Sequence, residues 1–163
     1  MFQTQRDHVG VTIYVHQHLR VSCWKGFPTP DSARVLQDEL NKSYAQSARQ
    51  ILLLNVVGGR SNDSGAFTPD VRKVFQEIFE EGNAHGGGVC HLIKMGGIFG
   101  SSVSLFLTTM GFVLTRKKTL KITSDVDAAI EWLLEKDAEG GGGLPAATEL
   151  KAGLIDIIPR LAT

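Results

Sequence analysis

Apolar and polar residues alternate near the start of the chain. Val11, Ile13 and Val15 are each separated by one other residue, which is the period of a strand with one buried face. The polar pair Gln17–His18 follows, and a second apolar run begins at residue 19. The pattern predicts strands over 9–16 and 19–26 that form an N-terminal β-hairpin.

Farther along the chain, apolar residues recur at helical spacing. The clearest stripe follows Thr68–Pro69 and predicts a helix that ends at Gly82. Similar stripes predict helices from Thr29 or Asp31 to about residue 47, from Ser124 onward, and after residue 146. Their inward positions are Val71, Val74, Phe75, Ile78 and Phe79; Ala33, Leu36, Leu40 and Tyr44; Val126, Ala129, Ile130 and Leu133; and Ala147, Leu150, Leu154, Ile157, Ile158 and Leu161.

Three further apolar runs, at 51–57, 89–94 and 119–123, alternate with these helices. Such alternation is typical of an α/β fold. We therefore predict a mostly parallel central sheet with an N-terminal hairpin and packed helices. This domain spans 1–139, and a glycine linker at 140–143 joins it to an appended C-terminal helix, so that 140–163 forms a second segment.

Composition narrows the classes of function. The chain has 163 residues, with 17 basic and 17 acidic side chains, so no long-range field attracts it to nucleic acid. Cys23 and Cys90 lie within apolar runs, as buried thiols do in a reducing compartment. The first residues contain no apolar signal region. We expect a cytoplasmic protein of one domain with no nucleic-acid partner and no cofactor.

The uncharged stretch from Met95 to Thr115 has two interpretations. Its length and its Gly96–Gly100 spacing resemble a membrane span. However, Gly, Ser and Thr are frequent in it, and four of its apolar residues have the spacing of a short buried helix after a glycine turn. These residues are Val103, Phe106, Leu107 and Met110. We expect the buried helix and no membrane span.

Two local patterns resemble a known family. Leu53–Leu54–Asn55 is followed by Asn62–Asp63–Ser64–Gly65, and the chain later has Leu120–Lys121–Ile122 before Ala128–Ala129–Ile130–Glu131–Trp132–Leu133. With the element order, these patterns resemble the STAS domain, the sulfate-transporter and anti-sigma-factor-antagonist fold, in its stand-alone SpoIIAA-like and SEC14-like branch. The resemblance implies a signalling protein in which a partner kinase phosphorylates Ser64. The alternative is a solvated Asn–Asp–Ser–Gly turn.

Other motifs give little support to catalysis or to metal binding. Gly58–Gly59 follows an apolar strand but lacks a nucleotide fingerprint. Cys90 and His91 are adjacent on a strand and so face apart, and no Gly-x-Ser-x-Gly elbow is present. His16 and His18 have no nearby Cys or carboxylate cluster to complete a metal site. We therefore expect no enzyme, no catalytic residue and no metal.

The glycines after residue 95 allow one anion-binding interpretation. Gly96, Gly97 and Gly100 lie between a predicted strand and a predicted helix, where backbone amides can hold an anion. Tight helix–sheet packing is the alternative reason for these glycines.

A loop over 58–68 is the predicted partner surface. It carries Arg60, Asp63, Ser64 and Phe67, a mixture of charge and aromatic character that suits a contact surface. We expect a non-enzymatic regulatory or scaffolding protein that binds a protein partner here. The alternative is a carrier of a lipid or small apolar ligand, lined by residues 99–112. The C-terminal helix would dock on its own domain or exchange within a homodimer.

Overall fold

In the residues that the structure describes, helices cover both faces of a six-stranded β-sheet. The structure is a computed structural model that describes residues 1–58, 68–94 and 119–158. The strands are β1 (Gln3–Asp7), β2 (Val11–His16), β3 (Leu19–Trp24), β4 (Ile51–Val57), β5 (Gly86–Ile93) and β6 (Leu120–Thr123). The helices are α1 (Pro30–Gln46), α2 (Pro69–His85), α3 (Val126–Glu139) and α4 (Ala147–Ile157).

The sheet is mixed, and its strands lie side by side in chain order. β1, β2 and β3 pair antiparallel, whereas β3 to β6 are parallel. The predicted α/β class with parallel central strands agrees with this topology. The antiparallel part has three strands in place of the predicted two-stranded hairpin. The pattern misses β1 because this edge strand is almost entirely polar and exposed.

The two faces of the sheet carry separate cores. α1 and α2 cover one face, and α3 and α4 cover the other. β4 is buried along its whole length, as expected for a central strand that is covered on both faces. The first core contains Trp24, Leu36, Val71, Phe75, Ile78 and Phe79, and the second contains Leu19, Leu54, Cys90, Ile130, Leu133, Leu150 and Leu154.

Side chains cap the starts of three helices. Thr29 accepts a hydrogen bond from the backbone N–H of Ser32 in a capping box, and Thr68 accepts one from Val71 before Pro69. The predicted starts at Thr29 and Thr68 are confirmed. At α3 the cap is Asp125, one residue after the predicted start at Ser124, because the Asp125 side chain accepts from the N–H groups of Asp127 and Ala128. Each cap satisfies N–H groups that a helix start leaves unpaired.

Two glycine predictions need correction. Gly82 does not end α2, which continues to His85. A Cβ at Gly82 would lie 3.4 Å from the Tyr44 hydroxyl, which is an ordinary van der Waals contact, so packing against α1 does not require a glycine there. β5 begins at Gly86, three residues before the predicted start. Gly88 has φ +147°, and a Cβ there would lie 2.7 Å from the Trp132 ring. A residue without a side chain is therefore required at Gly88.

The four glycines before α4 form a hydrogen-bonded turn. Gly141, Gly142 and Gly143 all have positive φ, which side-chain-bearing residues rarely adopt. The backbone N–H of Gly142 donates to the carbonyl of Asp137 at 2.7 Å. The turn brings α4 back against α3, where Leu150, Leu154 and Ile158 are buried in the same core. Ala147 was predicted to face inward but is exposed, because it is the first residue of α4. Leu161, also predicted inward, lies outside the described residues.

Across residues 1–58, 68–94 and 119–158, no helix is long and apolar enough to cross a membrane. The predicted buried helix and its membrane-span alternative, both at 95–115, lie outside the described residues.

Candidate functional site

The residues predicted to bind a partner or an anion lie outside the described part of the chain. Arg60, Asp63, Ser64 and Phe67 belong to residues 59–67, and Gly96, Gly97 and Gly100 belong to residues 95–118. Their roles stay predictions. The structure does place the strand ends from which both segments start.

These strand ends are neighbours. Val57 at the end of β4 is the register partner of Ile93 at the end of β5. The backbone N–H of Lys94 donates to the carbonyl of Val57 at 2.8 Å. The two segments therefore leave the sheet side by side at the carboxyl edge of its parallel strands. This edge is where open α/β sheets bind ligands.

A row of buried polar side chains crosses the sheet just inside this edge. Ser22, Asn55 and His91 are register partners on β3, β4 and β5. The Ser22 hydroxyl donates to Asn55 Oδ1 at 2.7 Å, and Asn55 Nδ2 lies 2.9 Å from His91 Nδ1. All three residues are at most 2 % exposed. We call this row, with Trp24, the polar ladder.

Trp24 fixes the direction of every hydrogen bond in the polar ladder. Its indole Nε1–H, which can only donate, bonds to Asn55 Oδ1. The amide oxygen of Asn55 therefore faces Trp24 and Ser22, and its NH₂ group faces His91. His91 Nδ1 must then accept, so the imidazole proton lies on Nε2. The ladder selects one tautomer of His91.

Burial keeps this imidazole uncharged. It lowers the pKa of His91 from 6.5 to about 3, and desolvation is the sole cause. The ring packs edge-on against Phe79, with 5.7 Å between ring centroids. Within the described residues, Nε2 has no hydrogen-bond partner. His91 therefore presents a neutral N–H donor without an acceptor.

A second buried histidine lies at the opposite end of the strands. His18, at the turn between β2 and β3, has Nε2 2.8 Å from Asp137 Oδ1, and both side chains are at most 7 % exposed. Asp137 Oδ1 has no aligned hydrogen-bond donor in this part of the chain. The contact is therefore a close approach of the two side chains without a hydrogen bond between them.

Asp137 also organises the turn that leads to α4. Its Oδ2 accepts a hydrogen bond from the backbone N–H of Leu144 at 2.9 Å. Arg49 Nη1 donates to the carbonyl of Gly142 at 2.6 Å from the other side. We call His18, Asp137, Arg49 and this turn the clasp. It joins α4 to the β2–β3 turn.

The geometry agrees with the expectation that Cys90 and His91 face apart. Cys90 lies in the core beneath α3, whereas His91 packs against α2. Burial raises the pKa of the Cys90 thiol to about 12, so it has no thiolate character at neutral pH. His16 and His18 also diverge, because His16 Nδ1 lies 3.3 Å from the carbonyl of Met1. Within the described ranges no three His, Cys, Asp or Glu residues are grouped to hold a metal.

Sequence reasoning missed both buried histidines as members of networks. Asn55 is 33 residues from Ser22 and 36 from His91, and His18 is even farther from Asp137. A polar residue inside an otherwise apolar strand was the available signal, since such residues require partners when buried. It marks Asn55 and His91, but does not identify the partner of either.

The comparisons with known proteins assign neither a family nor a function to the chain. Comparison of the chain with protein-family models, with curated proteins and with solved structures finds no match.

Proposed function

We propose that the protein is a non-enzymatic regulatory or scaffolding module that binds a protein partner at the carboxyl edge of β4 and β5. The proposed surface combines the segment after Gly58 with the outer face of α2. The residues proposed to contact the partner are Arg60, Asp63, Ser64 and Phe67. The pairing of Val57 with Ile93 carries the proposal, because it starts two long connections side by side on a rigid sheet.

The outer face of α2 supports this surface. Asp70, Arg72, Lys73, Gln76 and Glu80 are all exposed on it. Charges of both signs on one helix suit the polar rim of a protein interface. Thr68, the N-cap of α2, comes directly after the proposed contact segment, so one partner would reach both.

We also propose that this α/β fold is a STAS-like domain. Its support is the element order of the described residues, in which antiparallel strands precede parallel strands and helices follow β3, β4 and β6. In this proposal Ser64 is the phosphorylated switch residue, and a partner kinase controls binding. A cytoplasmic location belongs to the same proposal.

The contact surface is tested with a combined Arg60→Ala, Asp63→Ala and Phe67→Ala variant as bait in affinity purification. Partners recovered with the wild-type chain should be lost with this variant. Gln46→Ala is the matched control, because Gln46 is exposed at the end of α1, toward the opposite edge of the parallel strands. Equal recovery by both variants would place the partner surface elsewhere.

The switch is tested separately with Ser64→Asp and Ser64→Ala. If phosphorylation controls binding, the two variants should differ in partner recovery, and mass spectrometry of the native protein should find a phosphate on Ser64. Identical recovery without phosphate at that residue removes the switch and leaves the contact surface in place.

A further inference from the structure

The imidazole of His91 ends the polar ladder with an unused donor. Asn55 occupies Nδ1, so the proton lies on Nε2, on the other side of the ring. That N–H points away from β4 and meets no acceptor within the described residues. Buried donors without a partner are rare in folded proteins, and each costs about 1–3 kcal/mol. An acceptor supplied from outside the chain would remove this cost.

The surroundings of His91 on its face of the sheet are apolar. Val89 and Ile93 flank it along β5 and contribute to the same core. Ile122 on β6 is its register partner and is half-buried. The Phe79 ring lies against the imidazole and is at best a weak π acceptor. A single polar donor surrounded by hydrocarbon is the pattern of a site for a mainly apolar ligand.

We propose that His91 Nε2–H binds the carbonyl oxygen of a small, uncharged and mainly apolar molecule that reaches it from the β6 side. A carbonyl supplies the acceptor that the N–H lacks. An anion is disfavoured, because a neutral imidazole offers no charge to offset its desolvation. Entry requires a displacement of the side chains that cover Nε2, since this atom is fully buried. This site is independent of the proposed partner surface.

The polar ladder preorganises this donor. Because Trp24 can only donate, Asn55 cannot rotate its amide without losing the bonds to Trp24 and Ser22. His91 therefore cannot move its proton to Nδ1 at low cost. A fixed N–H donor binds an acceptor without a penalty for reorientation.

The site is tested by NMR titration of the full-length ¹⁵N-labelled protein, which observes the imidazole nitrogens of His91. The probes are acetophenone and ethylbenzene, which are similar in size and differ in the carbonyl group. Acetophenone should shift the Nε2–H resonance to saturation and bind about tenfold more tightly than ethylbenzene. Equal affinities, or no shift with either probe, would overturn the proposal.

Two variants and a water measurement complete the test. His91→Phe keeps a ring but removes the donor, so the preference for acetophenone should disappear; His85→Phe, at an exposed position on α2, should retain it. If His91→Phe does not fold, the affinities of acetophenone and ethylbenzene for the wild-type chain test the proposal without it. A bound water that contacts Nε2–H and is not displaced by acetophenone would also overturn the proposal.

Discussion

The two buried histidines differ in what surrounds them. His91 has an amide on one side of its ring and a phenyl ring beside it. His18 faces the carboxylate of Asp137 at 2.8 Å. Both side chains are almost inaccessible, yet one is held as a single neutral tautomer and the other lies beside the side chain of an acidic residue. Burial alone therefore does not set the role of a histidine; its neighbours do.

The networks around the two rings also have different consequences for the fold. The polar ladder joins β3, β4 and β5 within the sheet, two residues from the edge where the proposed partner surface begins. The clasp joins the β2–β3 turn to α3 and to the turn before α4. We expect the first network to govern global stability and the second to govern the docking of α4.

The largest effect is expected from Asn55→Leu. This change removes the partner of Trp24 Nε1, Ser22 Oγ and His91 Nδ1 at once. At about 1–3 kcal/mol for each unpaired group, the free energy of unfolding should fall by about 4 kcal/mol in urea denaturation. The exposed control Asn41→Ala should stay within about 0.5 kcal/mol of wild type. A loss below about 1 kcal/mol in Asn55→Leu would contradict the ladder.

Asp137→Ala should break the clasp at a smaller cost. It removes the acceptor for Leu144 N–H and the side chain beside His18, so we expect a loss of about 2 kcal/mol, which is within the cost of leaving one donor unpaired. Amide hydrogen exchange should accelerate at Leu144 and along α4. Asp137→Asn keeps an oxygen for Leu144 and should retain most of that protection. Equal exchange in both variants would show that the carboxylate oxygen does not hold the turn.

Acid should destabilise the protein through His91. The pKa of this histidine is about 3 in the folded chain and 6.5 in the unfolded chain. Below pH 6.5 His91 is therefore protonated in the unfolded state but stays neutral in the folded state. The free energy of unfolding falls as the pH is lowered. Between pH 8 and pH 5 the free energy of unfolding should decrease by about 2 kcal/mol from this residue.

The matched control for this pH dependence is Asn55→Asp. It places a carboxylate beside His91 Nδ1 and so gives this ring a neighbour of the kind that His18 has in Asp137. The charged imidazole gains a partner. The decrease in the free energy of unfolding on acidification should therefore be smaller than in wild type. If the free energy of unfolding changes equally in wild type and in Asn55→Asp between pH 8 and pH 5, a neutral His91 is contradicted.

The smallest effect is expected at the outer edge of the clasp. Arg49 is exposed and donates to the carbonyl of Gly142. Because water can replace an exposed donor, Arg49→Ala should change the free energy of unfolding by less than about 0.5 kcal/mol. A loss as large as that of Asp137→Ala would mean that Arg49, and not the buried pair, holds the turn.

Local patterns predicted most elements of this fold. The strands around Val11 and Leu19, the helix starts at Thr29 and Thr68, and most of the inward helix positions follow from periodicity and capping, which depend on neighbours in sequence. β1 was missed because an edge strand exposes its residues and needs no apolar alternation. Gly82 misled the prediction because a glycine can also lie inside a helix, and α2 continues past it to His85.

The candidate site was much less predictable. The roles of Asn55 and His91 depend on sheet register, and the pairing of His18 with Asp137 depends on how α3 packs over the β2–β3 turn. No local pattern encodes either relation. The tautomer of His91 depends on a tryptophan two strands away, which only the assembled sheet brings into contact with Asn55.

The most direct test of the central claim is a pH titration of the imidazole ¹⁵N resonances of His91 in the wild-type protein. The polar ladder predicts one neutral tautomer, with the proton on Nε2, that persists from pH 8 down to at least pH 5. A proton on Nδ1, or conversion of His91 to the charged form near pH 6.5, would contradict the account.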